Sequence, residues 1–178
     1  MPYRITFVCT GNICRSPMAE HVLRRHAEEA GLDVVVDSSG TGRWHIGDPA
    51  DHRTVQTLRR HGYSSAHSAR KFQSAWFDEY DLVIALDQGH QRELRRQART
   101  ERDRAKIRLL RSFDPSAGPD LDVPDPYYGG AAEFEHVLDL TEAAVPGLLA
   151  EIAAGLKGGL EGELEGGLKV TVKDAPDN

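Results

Sequence analysis

Apolar residues along this chain fall into short β-branched runs separated by longer stretches at helical spacing. Tyr3 to Val8 is the first run and predicts a strand; Val34-Val35-Val36 is the second, too continuous for a half-exposed antiparallel edge. Leu82 to Leu86 and Ile107 to Leu110 predict a third and a fourth. Between the first two, Met18, Ala19, Val22, Leu23, Ala27 and Ala30 recur on one helical face, and Gly31 supplies the stop. Pro49 to His61 predicts a modest helix ending at Gly62, Phe72 to Tyr80 a short one, and Gln88 to Thr100 a polar, arginine-rich one. Ala131 to Ala154 predicts the last helix, with Phe134, Val137, Leu138, Leu140, Val145, Leu148, Leu149 and Ile152 as its apolar set and Pro146 as a point of kinking.

Strands alternating with helices imply βαβ units. The expected fold is α/β: a single doubly wound domain, with a four-stranded parallel sheet and helices on both faces. Residues 1–154 form the domain. Residues 155–178 differ in character, because Gly158-Gly159-Leu160-Glu161 and Gly166-Gly167-Leu168-Lys169 make an imperfect repeat. Glycine at that density resists helix, so this tail is expected to be flexible, with a docking strand from Leu168 to Val172 as the minor option.

Composition narrows the class. The chain has 178 residues, 39% hydrophobic and 28% charged, which suits a globular domain with a real core. Its net charge of -6 argues against a nucleic-acid surface, although Arg92, Arg95, Arg96, Arg99, Arg102, Arg104 and Arg108 lie close together. Two cysteines exclude a disulfide-framed fold, and neither a signal peptide nor a membrane-length apolar run is present. A cytoplasmic protein without membrane contact is expected, as a monomer or weak homo-oligomer.

The chemistry gathers at one end of the first strand. Residues 7 to 17 read Phe-Val-Cys-Thr-Gly-Asn-Ile-Cys-Arg-Ser-Pro, so Cys9 stands at a strand end and Ser16-Pro17 opens a helix as N-cap and first residue. The residues between, Thr10, Gly11, Asn12, Ile13, Cys14 and Arg15, must wrap into a loop with inward N–H groups, an oxyanion nest at a helix N-terminus. That placement favours the thiolate of Cys9, the form that attacks, and Ser16 can donate its hydroxyl proton to the sulfur. Arg15 can grip two phosphoryl oxygens with its planar fork. Gly11 and Asn12 tolerate positive φ better than other residues. The stretch lacks the Gly-Lys-Ser/Thr ending of a nucleotide loop.

A leaving alkoxide or phenolate needs an acid, and the loop from Ser112 to Gly130 offers Asp114, Asp120, Asp122 and Asp125. Composition cannot choose among them. Asp125-Pro126-Tyr127-Tyr128 can, because proline stiffens the chain after the acid and tyrosines suit an aromatic substrate. Asp87, after the third strand, fits a helix cap. The histidines show no metal-ligand spacing, so neither metal nor cofactor is expected.

Residues 8 to 20, Val-Cys-Thr-Gly-Asn-Ile-Cys-Arg-Ser-Pro-Met-Ala-Glu, resemble the signature of the low-molecular-weight protein tyrosine phosphatases, and the likeness runs from about Tyr3 to Ala154. It implies hydrolysis of phosphotyrosine in proteins and of small aryl phosphates through a phosphocysteine, with Cys9 as nucleophile, Arg15 holding phosphate or another oxyanion in the loop, and Asp125 as acid and then base. It also implies a reversible disulfide between Cys14 and Cys9, bracing of Asn12 by Ser39 and His67, and an aromatic cleft of Trp44, Tyr127 and Tyr128. Thr10 occupies a position that varies in the family. Two other readings share part of this pattern. An arsenate reductase on the same scaffold needs cysteines downstream of Cys14, which the chain lacks, and an idle phosphate-binding module has no need of Asp125 beside Cys9 and Arg15.

Overall fold

The computed structural model describes residues 1–167. Four parallel strands, β1 (Tyr3–Cys9), β2 (Val34–Gly40), β3 (Leu82–Ala85) and β4 (Ile107–Leu109), lie in the order β2-β1-β3-β4. The strands therefore divide about β1 and β3. From β1 the chain crosses outward to β2, and from β3 it crosses outward the other way to β4. The carboxyl ends of β1 and β3 flank the crevice where such sheets bind ligands. Cys9 ends the first, and Asp87 follows the second by two residues.

Alternation along the strands feeds two cores. Ile5, Phe7, Cys9, Ile84 and Leu86 pack with α1 (Arg15–Glu29) and α5 (Ala131–Gly167), whereas Val8, Val83 and Ala85 pack on the other face with Phe72, Phe77 and Leu94 of α3 (Gln88–Gln97). Helices on both faces are thus a consequence of fully buried strands, as expected. Helix α2 (His52–Arg60) adds Leu58 to the first core.

Four expectations need correction. The segment from Phe72 to Tyr80 forms only a 3₁₀ turn, Ser74–Asp78, because Phe72 is spent on the core before it. The arginine-rich helix ends at Gln97, and Thr100 caps a separate helix α4 (Glu101–Ala105) by accepting the Asp103 N–H at 3.0 Å. Helix α1 begins at Arg15, two residues earlier than a Ser16 N-cap would allow. Its cap is Cys14, with no capping side chain, because the Ser16 hydroxyl is engaged in the loop.

The last helix passes Ala154 and runs to Gly167. Leu156 still packs against the core, and extending a helix already nucleated avoids the cost of starting one, which offsets part of the glycine penalty. Pro146 lies inside it and removes one backbone donor. Gly147 beside it is obligatory for packing, since a Cβ there would stand 2.1 Å from the Phe113 carbonyl oxygen. The proposed strand from Leu168 to Val172 lies outside the described residues. Among those described, no helix is long and apolar enough to cross a membrane.

Candidate active site

Four of the five carbonyls from Thr10 to Cys14 are held by donors of the surrounding structure. The Thr41 N–H bonds the Cys9 carbonyl, the Gly42 N–H that of Thr10, the Asp51 N–H that of Ile13, and the Met18 N–H that of Cys14. His67 Nε2 donates to the Asn12 carbonyl at 2.6 Å. The N–H groups of Gly11 to Cys14 donate to no protein group among the described residues. Such a ring of free donors at the start of α1 is an anion nest. Gly40 makes the close approach possible, because a Cβ there would lie 2.5 Å from the Thr10 oxygen.

Asn12 is the keystone of the loop. It is fully buried at φ 57°, a left-handed conformation that few side chains tolerate. Its Nδ2 donates to Ser16 Oγ at 2.8 Å and Ser38 Oγ at 2.9 Å, and its Oδ1 accepts from the Arg70 N–H at 2.9 Å. The brace is therefore Ser38, not Ser39. Neighbouring residues of β2 face opposite sides of the sheet, and only Ser38 faces Asn12. Ser39 contributes its carbonyl, 3.3 Å from the Ser16 hydroxyl, while its own hydroxyl finds no partner among the described residues. His67 takes the expected place, and burial pushes its pKa down, which suits a neutral ring donating from Nε2.

Cys9 Sγ lies 2.9 Å from Ser16 Oγ. The hydroxyl has one proton to give, and a thiolate is a stronger acceptor than the Ser39 carbonyl. Cys14 is also buried, and its thiol is pushed up to about 12 by burial, by Asp51 and by Cys9.

Arg15 is only 3% exposed. Its Nη1 donates to Asp87 Oδ2 at 2.8 Å and to the Val123 carbonyl at 2.9 Å, and its Nη2 stands 3.8 Å from Asp125 Oδ2. Asp87 caps α3 by accepting the His90 N–H at 3.0 Å, and its own N–H donates to His90 Nδ1 at 3.2 Å. With Nδ1 accepting, Nε2 carries the ring proton and donates it to Thr10 Oγ1 at 2.8 Å. Burial lowers the His90 pKa to about 4, so the imidazole is neutral. Burial opposes ionisation of Asp87, but His90 and Arg15 outweigh it and hold its carboxyl below the usual range. One chain of bonds thus joins Thr10, His90, Asp87 and Arg15 across the nest.

The acid loop is tied at few points. The Val123 N–H bonds the Leu86 carbonyl at 2.9 Å, the Gln88 N–H bonds Asp122 Oδ1 at 2.8 Å, and Arg111 holds the Asp120 and Asp122 carbonyls. Beyond them Asp125 is half exposed, its Oδ1 accepting the Tyr127 N–H at 3.1 Å. Arg53 donates to the Gly129 carbonyl, lies over the Tyr127 ring and pairs with Asp51, whose N–H bonds the Ile13 carbonyl.

The remaining predicted residues converge. Cys9, Thr10, Gly11, Ile13, Cys14, Arg15, Trp44, Asp125, Tyr127 and Tyr128 line one cavity, joined by His45. Tyr127 and Tyr128 meet edge to face at 5.0 Å, and Trp44 is largely exposed at the rim. Asn12, Ser16, Ser38 and His67 stand behind the loop. Ser38, Arg70, His90, Arg53 and Arg111 went unassigned in the sequence. Only His90 left a local signal, as the third residue after the capping Asp87.

The arrangement offers a nucleophile at the floor of an anion nest, a buried cation beside it and a carboxyl at an aromatic rim. The profile described as "Low molecular weight phosphotyrosine protein phosphatase" matches residues 4–157. A low molecular weight protein-tyrosine-phosphatase of Streptomyces coelicolor is 62% identical over 155 residues, covering 85% of this chain and 94% of that protein. The crystal structure of a protein tyrosine phosphatase from Entamoeba histolytica, with Hepes in its active site, superposes with a TM-score of 0.82 at 34% identity, over 86% of this chain and 98% of that one. The arginine phosphatase YwlE, as a cysteine-to-serine mutant with a phosphorylated active-site serine, matches with a TM-score of 0.76 at 29% identity, over 84% and 95%.

Proposed function

Because the chain belongs to the low molecular weight phosphotyrosine protein phosphatase family, we propose that it hydrolyses phosphotyrosine in proteins, and small aryl phosphates, through a phosphocysteine on Cys9. The observation that carries this reading is the pairing of Cys9 with a nest of unbonded N–H groups and the buried Arg15. In the first step the thiolate attacks phosphorus in line. A sulfur–phosphorus bond forms as the aryl oxygen–phosphorus bond breaks, and Asp125 passes its proton to the leaving phenolate. The nest and Arg15 hold the charge spread over the equatorial oxygens. In the second step the Asp125 carboxylate takes a proton from water, whose oxygen attacks phosphorus and returns the Cys9 thiolate and inorganic phosphate.

The rim supports an aromatic substrate. Trp44, Tyr127 and Tyr128 stand above the nest, so a flat ring reaches between them while its phosphate meets Cys9. A phosphoserine is too short for that span. The YwlE likeness makes phosphoarginine the informative competitor, and the aromatic rim favours tyrosine.

Two measurements test the reading. Cys9→Ser is expected to abolish turnover of p-nitrophenyl phosphate while still binding inorganic phosphate. Wild-type protein is expected to form a phosphoenzyme in rapid-quench experiments with a phosphotyrosine peptide, and to prefer that peptide to its phosphoarginine counterpart. Near-wild-type activity in Cys9→Ser would sink the mechanism.

A further inference from the structure

The face of α3 turned away from the core carries an unusual charge. His90, Leu94 and Ala98 face inward; Gln88, Gly89, Arg92, Arg95, Arg96 and Arg99 are exposed, and Arg102 continues the row on α4. Nine cationic side chains and three carboxylates lie between Gln88 and Arg111, in a chain whose net charge is -6. Among the described residues, Arg96 pairs with Glu93 and Arg104 with Glu101, but Arg92, Arg95, Arg99 and Arg102 make no ion pair.

A helix needs polar residues on its outer face, but it does not need these. Arg92 and Arg96 are like charges one turn apart within α3, an arrangement that weakens a helix. Eight of the nine cations are arginine, whose fork matches a carboxylate in two places at once. The row also begins at the catalytic crevice. Asp87, at the cap of α3, holds Arg15, and the Gln88 N–H holds Asp122 of the acid loop. From there the exposed arginines lead away from the cavity mouth.

We propose that this stripe is a docking rail for acidic segments of the phosphoprotein substrate, flanking the phosphotyrosine. The proposal rests on the phosphatase reading and adds substrate choice to it. Arg92 to Gln97 rises about 7.5 Å along α3 and the extended Ala98 carries Arg99 beyond it, together the length of about three or four residues of extended chain. The matching substrate carries three or four Asp or Glu residues in the segment flanking the tyrosine. An acidic peptide is favoured over nucleic acid because no Phe, Tyr or Trp lies between Gln88 and Arg111 to stack a base, and the surrounding chain is acidic.

Phosphotyrosine peptides test this directly. One set places four glutamates three to six positions from the tyrosine, on either side; a second places glutamines there, a third lysines. Wild-type protein is expected to show kcat/KM about tenfold higher for the glutamate peptide than the glutamine one at low salt, falling toward equality at 0.5 M NaCl. The triple variant R92Q/R95Q/R99Q is expected to lose the preference while hydrolysing p-nitrophenyl phosphate within twofold of wild type. R95E/R96E/R99E is expected to prefer the lysine peptide. Equal rates for glutamate and glutamine peptides, or a preference that survives in both variants, would overturn the rail. So would arginine-dependent binding of a single-stranded RNA without any peptide preference. Failure of wild-type protein to hydrolyse p-nitrophenyl phosphate would instead strike the phosphatase reading itself.

Discussion

The floor of the site and its acid wall are built on opposite plans. The floor buries Cys9 and Asn12 to Ser16, and Asn12 alone makes bonds to Ser16, Ser38, Arg70 and His67. The wall, from Asp125 to Gly130, is largely exposed, and beyond Val123 it is tied by the Asp125–Tyr127 turn and Arg53. The floor meets the same phosphoryl group in every substrate, so rigidity there is stabilisation prepared in advance. The wall meets a leaving group that changes from one phosphoprotein to the next, and must both donate and later accept a proton.

The largest effect is expected where function and stability separate. Asp125→Asn should leave stability within about 0.5 kcal/mol, as an exposed substitution does. It should lower kcat for phenyl phosphate by about 10²–10⁴-fold. The defect should shrink for p-nitrophenyl phosphate, whose leaving group departs without much help. An equal defect on both would mean that Asp125 positions the substrate and does not protonate it.

Asn12→Ala reverses that pattern by striking the floor. The alanine is forced to a positive φ, and the Arg70 N–H and two hydroxyls lose a buried partner. The protein should lose about 2–4 kcal/mol of stability, and kcat should fall about 10- to 100-fold as the nest relaxes. Asn12→Gly relieves the strain but not the lost bonds. A melting temperature between those of wild type and Asn12→Ala would apportion the two; one equal to wild type would show that the bonds carry nothing.

Much of this contrast was legible in the sequence. The strand runs and the Cys9-to-Arg15 spacing marked the floor, and Asp125-Pro126-Tyr127 marked the wall, because each is local in the chain. What joins them was not. Arg70, His90 and Arg53 reach the loop from other elements, and no spacing rule connects a side chain to a partner that only the tertiary fold supplies. Ser38 and Ser39 show the limit most plainly. They are adjacent, chemically identical and both buried, and only the pleat of β2 decides which hydroxyl meets Asn12.

His90 tests the link between Asp87 and the nest. His90→Ala removes the donor to Thr10 and the acceptor for the Asp87 N–H, so Arg15 loses its fixed partner. A loss of about 1–1.5 kcal/mol predicts roughly a tenfold drop in kcat with little change in KM. His90→Asn, which can still donate an amide proton, should recover most of it. The same residue sets an acid limit. Its folded pKa of about 4 lies below the ordinary 6.5, so the unfolded chain binds the extra proton between those values. The stability held by the neutral ring is present above pH 6.5 and is lost as pH falls toward 4. The melting temperature of His90→Asn should therefore fall less than that of wild type between pH 7 and pH 4.5.

Cys14 should matter least to turnover. It lies in the floor but touches no transferred group, so Cys14→Ser is expected to keep kcat within twofold. Its thiol, pushed up to about 12 chiefly by burial, is a poor nucleophile. Peroxide converts Cys9 to a sulfenic acid. Burial and Asp51 remain, so Cys14 should attack slowly, forming the Cys9–Cys14 disulfide and releasing water. After brief peroxide treatment, wild-type activity should return with dithiothreitol, while Cys14→Ser should retain an irreversible loss a few-fold larger. Equal recovery would make Cys14 a packing residue of the floor, leaving the rigid half of the site without a redox function of its own.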